Sequence, residues 1–459
     1  MNGEAPLEAL VALWRDYLKR HRSVHSPDVE ELEDHLRAEI ATLTAAGLSE
    51  NEAFLVAVKR LGNLDELSRE FAREHSERLW KQLVVGGDGE EESEAETSRR
   101  KELLVVLGLA SLAALAFKIP ELFGVHLFAR DLAAQAFYAR NLSLFVFPFL
   151  AAYFVWKRAM GSGGIGAIAA AFAGAALLVN LYPFHPDGQT LLLTFVHLPI
   201  ALWMAVGIAY VGGEWRSRAR RMDFLRFSGE LFIYYTLIAL GGGLLSAFSL
   251  VMFQAIGVNV MPFVSRWLLP CGALGAVIVG AWLVEAKQSV IENMAPVLTR
   301  LFTPLFTLVL LAFLATMGWT RTWISIERNV LIGFDLLLAV VVGLVLYTIS
   351  ARDPEAPAGA FDALQLLLVL AALVVDSLAL AAIVARISDF GFSANKVAAL
   401  GENIVLLGNL LGAALLYVRF LRGKVAFTIL ERWQTTYLPV YFAWAWLVVA
   451  LFPPLFGFR

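Results

Sequence analysis

The sequence predicts an all-α protein: a small cytoplasmic helical domain followed by a polytopic α-helical membrane bundle of about eleven transmembrane helices. Three observations predict it. Hydrophobic residues make up 59% of the 459 and charged residues only 17%, against about 45–50% and about 25% in soluble domains. Mean hydropathy is +0.67. The apolar excess is also uneven, with charge concentrated in residues 1–102 and long apolar runs from Leu103 onward. The expected organisation is a helical domain over 1–83, an acidic flexible linker over 84–101 and a membrane domain over 102–459.

The net charge of −3 carries no basic balance that would suggest direct nucleic-acid binding. A single cysteine, Cys271, excludes an intramolecular disulfide and any cysteine-based zinc site. Residues 1–30 are polar and mixed in charge, without the apolar segment of a cleavable signal. The N-terminus is therefore expected in the cytoplasm.

Within the head, Leu7, Leu10, Trp14 and Leu18 form one apolar stripe, and Val29, Leu32, Leu36, Ile40 and Leu43 a second. Ser26-Pro27 supplies a cap and first-turn proline for the second helix, and Gly47 a stop. Ser49 with Glu52 predicts a capping box ahead of Phe54, Ala57, Val58 and Leu61. Gly62 ends that helix, and Asn63 with Glu66 caps a fourth carrying Leu67 and Phe71. Narrow stripes on heavily charged helices suit a docking or signalling module better than an enzyme domain.

The pieces Trp14-Arg15-Asp16-Tyr17-Leu18, Glu30-Glu31-Leu32-Glu33-Asp34-His35-Leu36, Gly47-Leu48-Ser49-Glu50-Asn51-Glu52-Ala53-Phe54 and Arg60-Leu61-Gly62-Asn63 resemble the HAAS, or permease prefix, domain over about residues 5–82. That resemblance implies a role in signalling or regulated transport and no chemistry. It also implies a cytoplasmic partner, a PadR-like transcription regulator, bound through residues 5–82.

Residues 84–101 carry Gly86-Gly87-Asp88-Gly89 and then Glu90-Glu91-Glu92 and Glu94 without apolar periodicity, and are expected to be flexible. Arg99-Arg100-Lys101 stands directly before the first apolar run as a cytoplasmic anchor.

A spanning helix needs about twenty mostly apolar residues. Spans are predicted over 103–123, 142–157, 163–182, 190–212, 229–253, 267–285, 301–319, 330–350, 363–385, 401–420 and 437–456, the second of them short. With the N-terminus inside, the inner connections hold Lys157, Arg158, five arginines between 216 and 226, Lys287, Arg300, Arg352, Arg419, Arg422, Lys424 and Arg432. The outer ones hold Arg130, Arg140, Arg266, Arg321, Arg328, Arg386 and Lys396. Fourteen against seven follows the positive-inside bias of a bacterial inner-membrane protein.

The stretch 213–226 is the most basic and reads as an anchor on anionic lipid headgroups, or as a docking site for the acidic linker or head. Trp156, Trp215, Trp267, Trp319, Trp323 and Tyr437 near span ends read as interfacial belts. Gly401, Gly408 and Gly412 make a smooth helix face for close packing within the bundle.

Ionisable groups inside apolar spans mark a pair, a pathway or a site. The candidates are Asp376 near the middle of the ninth span, Asp335 early in the eighth, Glu230 at the start of the fifth, and His197 in the fourth beside Pro199. For Asp376 the choice lies between a structural hydrogen bond or a neutral carboxyl and a proton or cation site. Glu230 and Asp335 lie near interfaces and His197 reads first as a core histidine. No metal-ligand, nucleophile-elbow or phosphate-loop pattern appears, so neither a cofactor nor an enzyme activity is expected.

Arg386-Ile387-Ser388-Asp389-Phe390-Gly391-Phe392-Ser393-Ala394-Asn395-Lys396, followed by Gly401-Glu402-Asn403, is a polar turn between two apolar runs. Arg386 and Asp389 are spaced to pair, Gly391 permits a sharp turn, and Asn395 can cap the next helix. With Arg140-Asn141 and Pro148, the stretch resembles the polytopic domain-of-unknown-function 4153 family over about 103–456, with Phe390 and Ser393 where that family carries Tyr and Thr. A structural turn and a gating or ligand-sensing loop both fit it.

Two functions of different class follow. In the first, the membrane bundle senses an envelope or lipid condition and the head relays it to a regulator. In the second, the bundle is a secondary transporter or channel that the head regulates. The head favours the first, which the sequence places ahead; the number of spans and Asp376 favour the second, its alternative.

Overall fold

The computed structural model describes residues 7–20, 26–61, 90–127, 131–286, 294–320 and 328–459. It divides into two units, Met1–Glu102 and Leu103–Arg459. The regular elements among the described residues are all helical, as the sequence predicts.

The first unit contains α1 (Leu7–Arg20), α2 (Ser26–Ala45) and α3 (Glu50–Leu61). Leu10 and Trp14 of α1, Leu36, Ile40 and Leu43 of α2, and Phe54, Ala57 and Val58 of α3 close one apolar core. Their spacing puts each set on one helix face. Gly47 turns the chain after α2 at φ +99°. The capping box forms: the Glu52 amide donates to Ser49 Oγ at 3.4 Å, and the Ser49 amide donates to Glu52 Oε2 at 3.0 Å. The fourth head helix expected from Asn63, Leu67 and Phe71 lies outside the described residues.

Helix α4 (Glu90–Leu122) starts within the acidic run. The part of the linker from Glu90 on is thus helical, where the sequence reading expected flexibility. Its glutamates occupy a helix N-terminus, where the backbone dipole favours negative charge.

The second unit holds eleven helices long and apolar enough to cross a membrane, counted among the described residues. The protein is an integral, multi-pass membrane protein. The second span is a broken one, longer than the 142–157 of the sequence reading. It begins with α5 (Leu132–Asn141), continues as a 3-10 segment, Leu142–Phe145, and ends as α6 (Phe147–Lys157), with Pro148 in its first turn. An apolar reading frame starting at Leu142 misses α5 because Gln135, Arg140 and Asn141 interrupt it.

The remaining spans are α7 (Ser162–Leu181), α8 (Gln189–Tyr210), α9 (Arg218–Ala255), α10 (Leu269–Ala286, entered through a π-helical turn at Val264–Leu268), α11 (Met294–Thr320), α12 (Arg328–Ala351), α13 (Ala360–Phe390), α14 (Ala394–Leu421) and α15 (Thr428–Leu455). Helix α9 corrects the reading of 213–226 as a connection: Arg218, Arg220, Arg221 and Arg226 ride on its first turns.

Helices α13, α14 and α15 pack consecutively, and α8 lies along α15. The glycine face of α14 receives aromatic side chains of α15: Trp444 at Gly401, Tyr437 at Gly408 and Trp433 at Gly412. Tyr437 also donates its hydroxyl to the Val405 carbonyl at 2.7 Å. Tyr437 thus packs against α14, and Trp215 meets the Phe224 ring edge-on. Trp156, Trp267 and Trp319 are exposed, as interfacial residues would be. Trp323 lies outside the described residues.

Candidate functional site

The side chain of Asp376 is the most deeply placed acid of the membrane unit. It stands midway along α13, 0% exposed, and neither carboxylate oxygen has a hydrogen-bond partner among the described residues. Val369, Ala372, Val375 and Ala379 on the same helix are equally enclosed. Over these turns the helix presents one carboxyl group among apolar side chains. An unpaired polar group there costs about 1–3 kcal/mol even when neutral, so its presence calls for a function or a partner.

Two further acids act on it or beside it. Asp335, on α12, lies within electrostatic range of both Asp376 and Glu402 of α14. Asn403, the residue after Glu402, is fully buried and donates Nδ2 to Asp335 Oδ1 at 2.9 Å and to the Ala399 carbonyl at 2.8 Å. Its own Oδ1 is left without a partner.

Asp335 and Glu402 open onto a cavity of about 490 Å³ whose walls come from α8, α12, α13 and α14. His197, Arg386 and Lys396 line it as well. His197 is buried and donates Nδ1 to the Leu193 carbonyl at 2.9 Å. Lys396 precedes Glu402 by six positions, about 9 Å along α14. The cavity is thus basic toward the helix ends and acidic further in.

The turn that joins α13 to α14 shapes this entrance. Gly391 adopts φ +72° and its amide donates to the Ile387 carbonyl at 2.8 Å, ending α13. Lys396 returns across the turn to the Gly391 carbonyl at 2.6 Å. Two expectations for this motif are corrected. Arg386 lies over the Phe390 ring at 5.9 Å, not against Asp389, whose side chain is exposed at the helix end. Ser393, not Asn395, occupies the position before α14, and the Asn395 backbone amide instead donates to Gln189 Oε1 of α8 at 3.1 Å.

Of the candidates read from sequence, Asp376, Asp335, His197 and Arg386 converge on this region. Glu230 does not. It is buried near the start of α9, within electrostatic range of Tyr234 and Tyr347. Its neighbour Arg226 donates to the Ser350 carbonyl at 2.6 and 3.1 Å, at the far end of α12 from Asp335.

Sequence reasoning missed several charged groups. Glu402 and Asn403 were legible only as the tail of a turn motif. Lys118, buried inside the first span, pairs with Glu121 at 2.7 Å and lies 4.6 Å over the Trp267 ring. Glu285 pairs with Arg158 at 2.9 Å and with Lys157 at 3.4 Å. A scan of hydropathy that discounts charges at span ends passes over all of these.

Charge in the head is organised differently. Arg37 bridges Glu8 at 2.7 Å and Glu33 at 3.0 Å, tying α1 to α2. The Arg37 hydrogen bond holds the Glu8 carboxyl below its ordinary value, and the Ser49 hydroxyl does the same for Glu52.

Compared with known proteins, the chain matches no family model, no curated protein and no solved structure.

Proposed function

We propose that the membrane bundle binds and passes a proton or small cation at the Asp335–Asp376–Glu402 cluster, as a secondary transporter or channel does, and that the N-terminal helices form a cytoplasmic module regulating it. The observation that carries this reading is Asp376: a fully enclosed carboxyl without a hydrogen-bond partner among the described residues, within electrostatic range of a second acid that faces a cavity. A carboxyl kept only for structure would be paired in a medium that offers no water. The reading is non-enzymatic, in keeping with a sequence that carries no metal-ligand, nucleophile-elbow or phosphate-loop pattern.

The placement in a bacterial inner membrane with the N-terminus inside rests on the fourteen-to-seven distribution of Lys and Arg. Membrane lipids are then the immediate partners, with the exposed Arg218 and Arg220 at the start of α9 the side chains able to reach headgroups. The test is reconstitution of the full chain into liposomes under an imposed ion or pH gradient. Flux in the wild type that Asp376→Asn abolishes supports the reading. Equal flux in both proteins sinks it.

The relay reading has its own observation: the head closes a core of its own around Trp14, Leu36 and Phe54. With the resemblance to the HAAS domain, this supports a docking surface for a PadR-like regulator. Capture of full-length protein from its host membranes, followed by mass spectrometry, distinguishes the two. A co-purifying transcription regulator supports the relay, and its consistent absence counts against it.

A further inference from the structure

We infer that a seam of polar side chains between α13, α14 and α15 conducts protons through the bundle, from the Asp335–Glu402 cavity to a second pocket at the opposite end. The inference rests on the reading of Asp376 as a working acid and adds the species and its route.

Beyond Asp376, the next polar group is Tyr441 of α15. It lies within electrostatic range of Asp376, and its hydroxyl is shut off from solvent without a partner. Seven residues earlier on α15, two turns away on the same face, stands Gln434. It is fully buried and accepts a hydrogen bond from Asn409 Nδ2 of α14 at 2.8 Å. Helical side chains lean toward the helix N-terminus, so the Tyr441 hydroxyl leans back toward Gln434. Thr435, beside Gln434, and Glu431, one turn before it, line the second pocket, of about 340 Å³.

What distinguishes this seam is its unmet hydrogen bonding. Asp376 Oδ1 and Oδ2, Tyr441 Oη, Asn403 Oδ1, Asn409 Oδ1 and Gln434 Nε2 all lack partners among the described residues. Buried polar groups are overwhelmingly paired, directly or through water. A file of donors and acceptors with gaps between them is what bridging water requires, since each such water needs two to four polar neighbours. The alternative, six unmet groups in the dry centre of a membrane protein, would cost several kcal/mol for no return.

The composition of the seam points to protons. A metal cation needs about six oxygen ligands around one point, whereas these oxygens are strung out along three helices. A proton needs only neighbours. It leaves Glu402 or Asp335 as one O–H bond breaks and forms another on Asp376. From there it passes to the Tyr441 hydroxyl, which takes one proton and releases another to bridging water held by Gln434 and Thr435, and so to water in the second pocket. No electron moves, and Glu402 or Asp335 regains its proton from water in the cavity.

The experiment uses the full chain in liposomes loaded with a pH-sensitive dye, with potassium and valinomycin holding the voltage at zero. Wild type should collapse an imposed pH gradient faster than empty vesicles. Asp376→Asn, Tyr441→Phe and Gln434→Leu should each slow that collapse at least tenfold, while Ser377→Ala, on the exposed side of α13, should not. Size-exclusion profiles confirm folding, and sodium uptake is followed in the same vesicles. Absence of proton flux in wild type overturns the inference. So does flux that needs Asp376 but survives both Tyr441→Phe and Gln434→Leu. Sodium uptake that depends on Asp376 without proton flux overturns the seam while leaving the acidic site standing. Flux of every kind untouched by Asp376→Asn removes both.

Discussion

The Arg352 guanidinium grips the Asp362 carboxylate with two hydrogen bonds, at 2.8 and 3.1 Å, while lying 4.2 Å over the Phe427 ring and 4.9 Å over Phe420. Asp362 also receives the Gly359 amide at 2.8 Å, so one carboxylate both starts α13 and joins it to the end of α12. Removing one member of such a shielded pair leaves the other uncompensated, at about 3–5 kcal/mol. Asp362→Ala should lower the thermal midpoint of the detergent-solubilised protein markedly. Arg352→Ala should do the same, and the double variant should lose much less than the sum. Additive losses would show that the pair is not coupled.

In the head, the sign of the pH dependence follows from Glu8 and Glu52. Both carboxyls are held below their ordinary 4.5 in the folded chain, by Arg37 and by Ser49. A carboxyl depressed by folding stabilises the fold above its unfolded value, and that stabilisation is lost as pH falls through the folded value. Amide protection of α1 to α3 in the full chain, corrected for intrinsic exchange, should be constant near neutrality and fall below about pH 4.5. Glu52→Gln should flatten the part of that fall seen in α3. A profile unchanged by Glu52→Gln and Glu8→Gln together would rule out this origin.

At Gly401, a methyl group would run into the Trp444 indole. Overfilling a packed contact costs about 1–3 kcal/mol. Gly401→Ala should therefore lower the thermal midpoint, and Trp444→Leu in the same chain should recover part of the loss. If the double variant is no better than the single, α14 and α15 have room to separate and the close fit carries little energy.

The broken second span is fastened to α7 by a reciprocal amide pair. Asn141 donates to Asn180 at 2.9 Å, and Asn180 donates back at 2.7 Å. Polar pairs between membrane helices average about 0.6 kcal/mol in double-mutant cycles and reach about 1.7. A cycle of Asn141→Leu and Asn180→Leu should give coupling toward the upper part of that range, because both amides are satisfied at once. Coupling near zero would mean that the 3-10 segment is held by its apolar neighbours alone.

These contacts divide what the sequence disclosed from what it concealed. Apolar runs of about twenty residues located every span but the second, of which they caught only the latter part, and one-dimensional signals such as Ser49 with Glu52 located a helix start. Asp376 and Asp335 were legible because a charge inside an apolar run stands out without knowledge of its neighbours. Asn403, Asn409 and Gln434 were not. Amides are tolerated in membrane helices, and their meaning lies in partners dozens of residues away. Glu402 was hidden for another reason: it sits where a hydropathy window ends, and only the length of α14 shows that it lies a third of the way along a helix. The π-helical turn before α10 and the 3-10 break after α5 left no pattern, since both arise from packing.

Helix α9 has 38 residues, about 57 Å end to end, whereas the hydrocarbon core is about 30 Å thick. Its arginine-bearing turns and its lipid-facing portion are one uninterrupted rod. Gly241, Gly242 and Gly243 stand in the middle of that rod, where a helix yields most easily. Arg226 ties the basic end to the Ser350 carbonyl of α12, so the glycine run lies between a fastened end and a lipid-facing one.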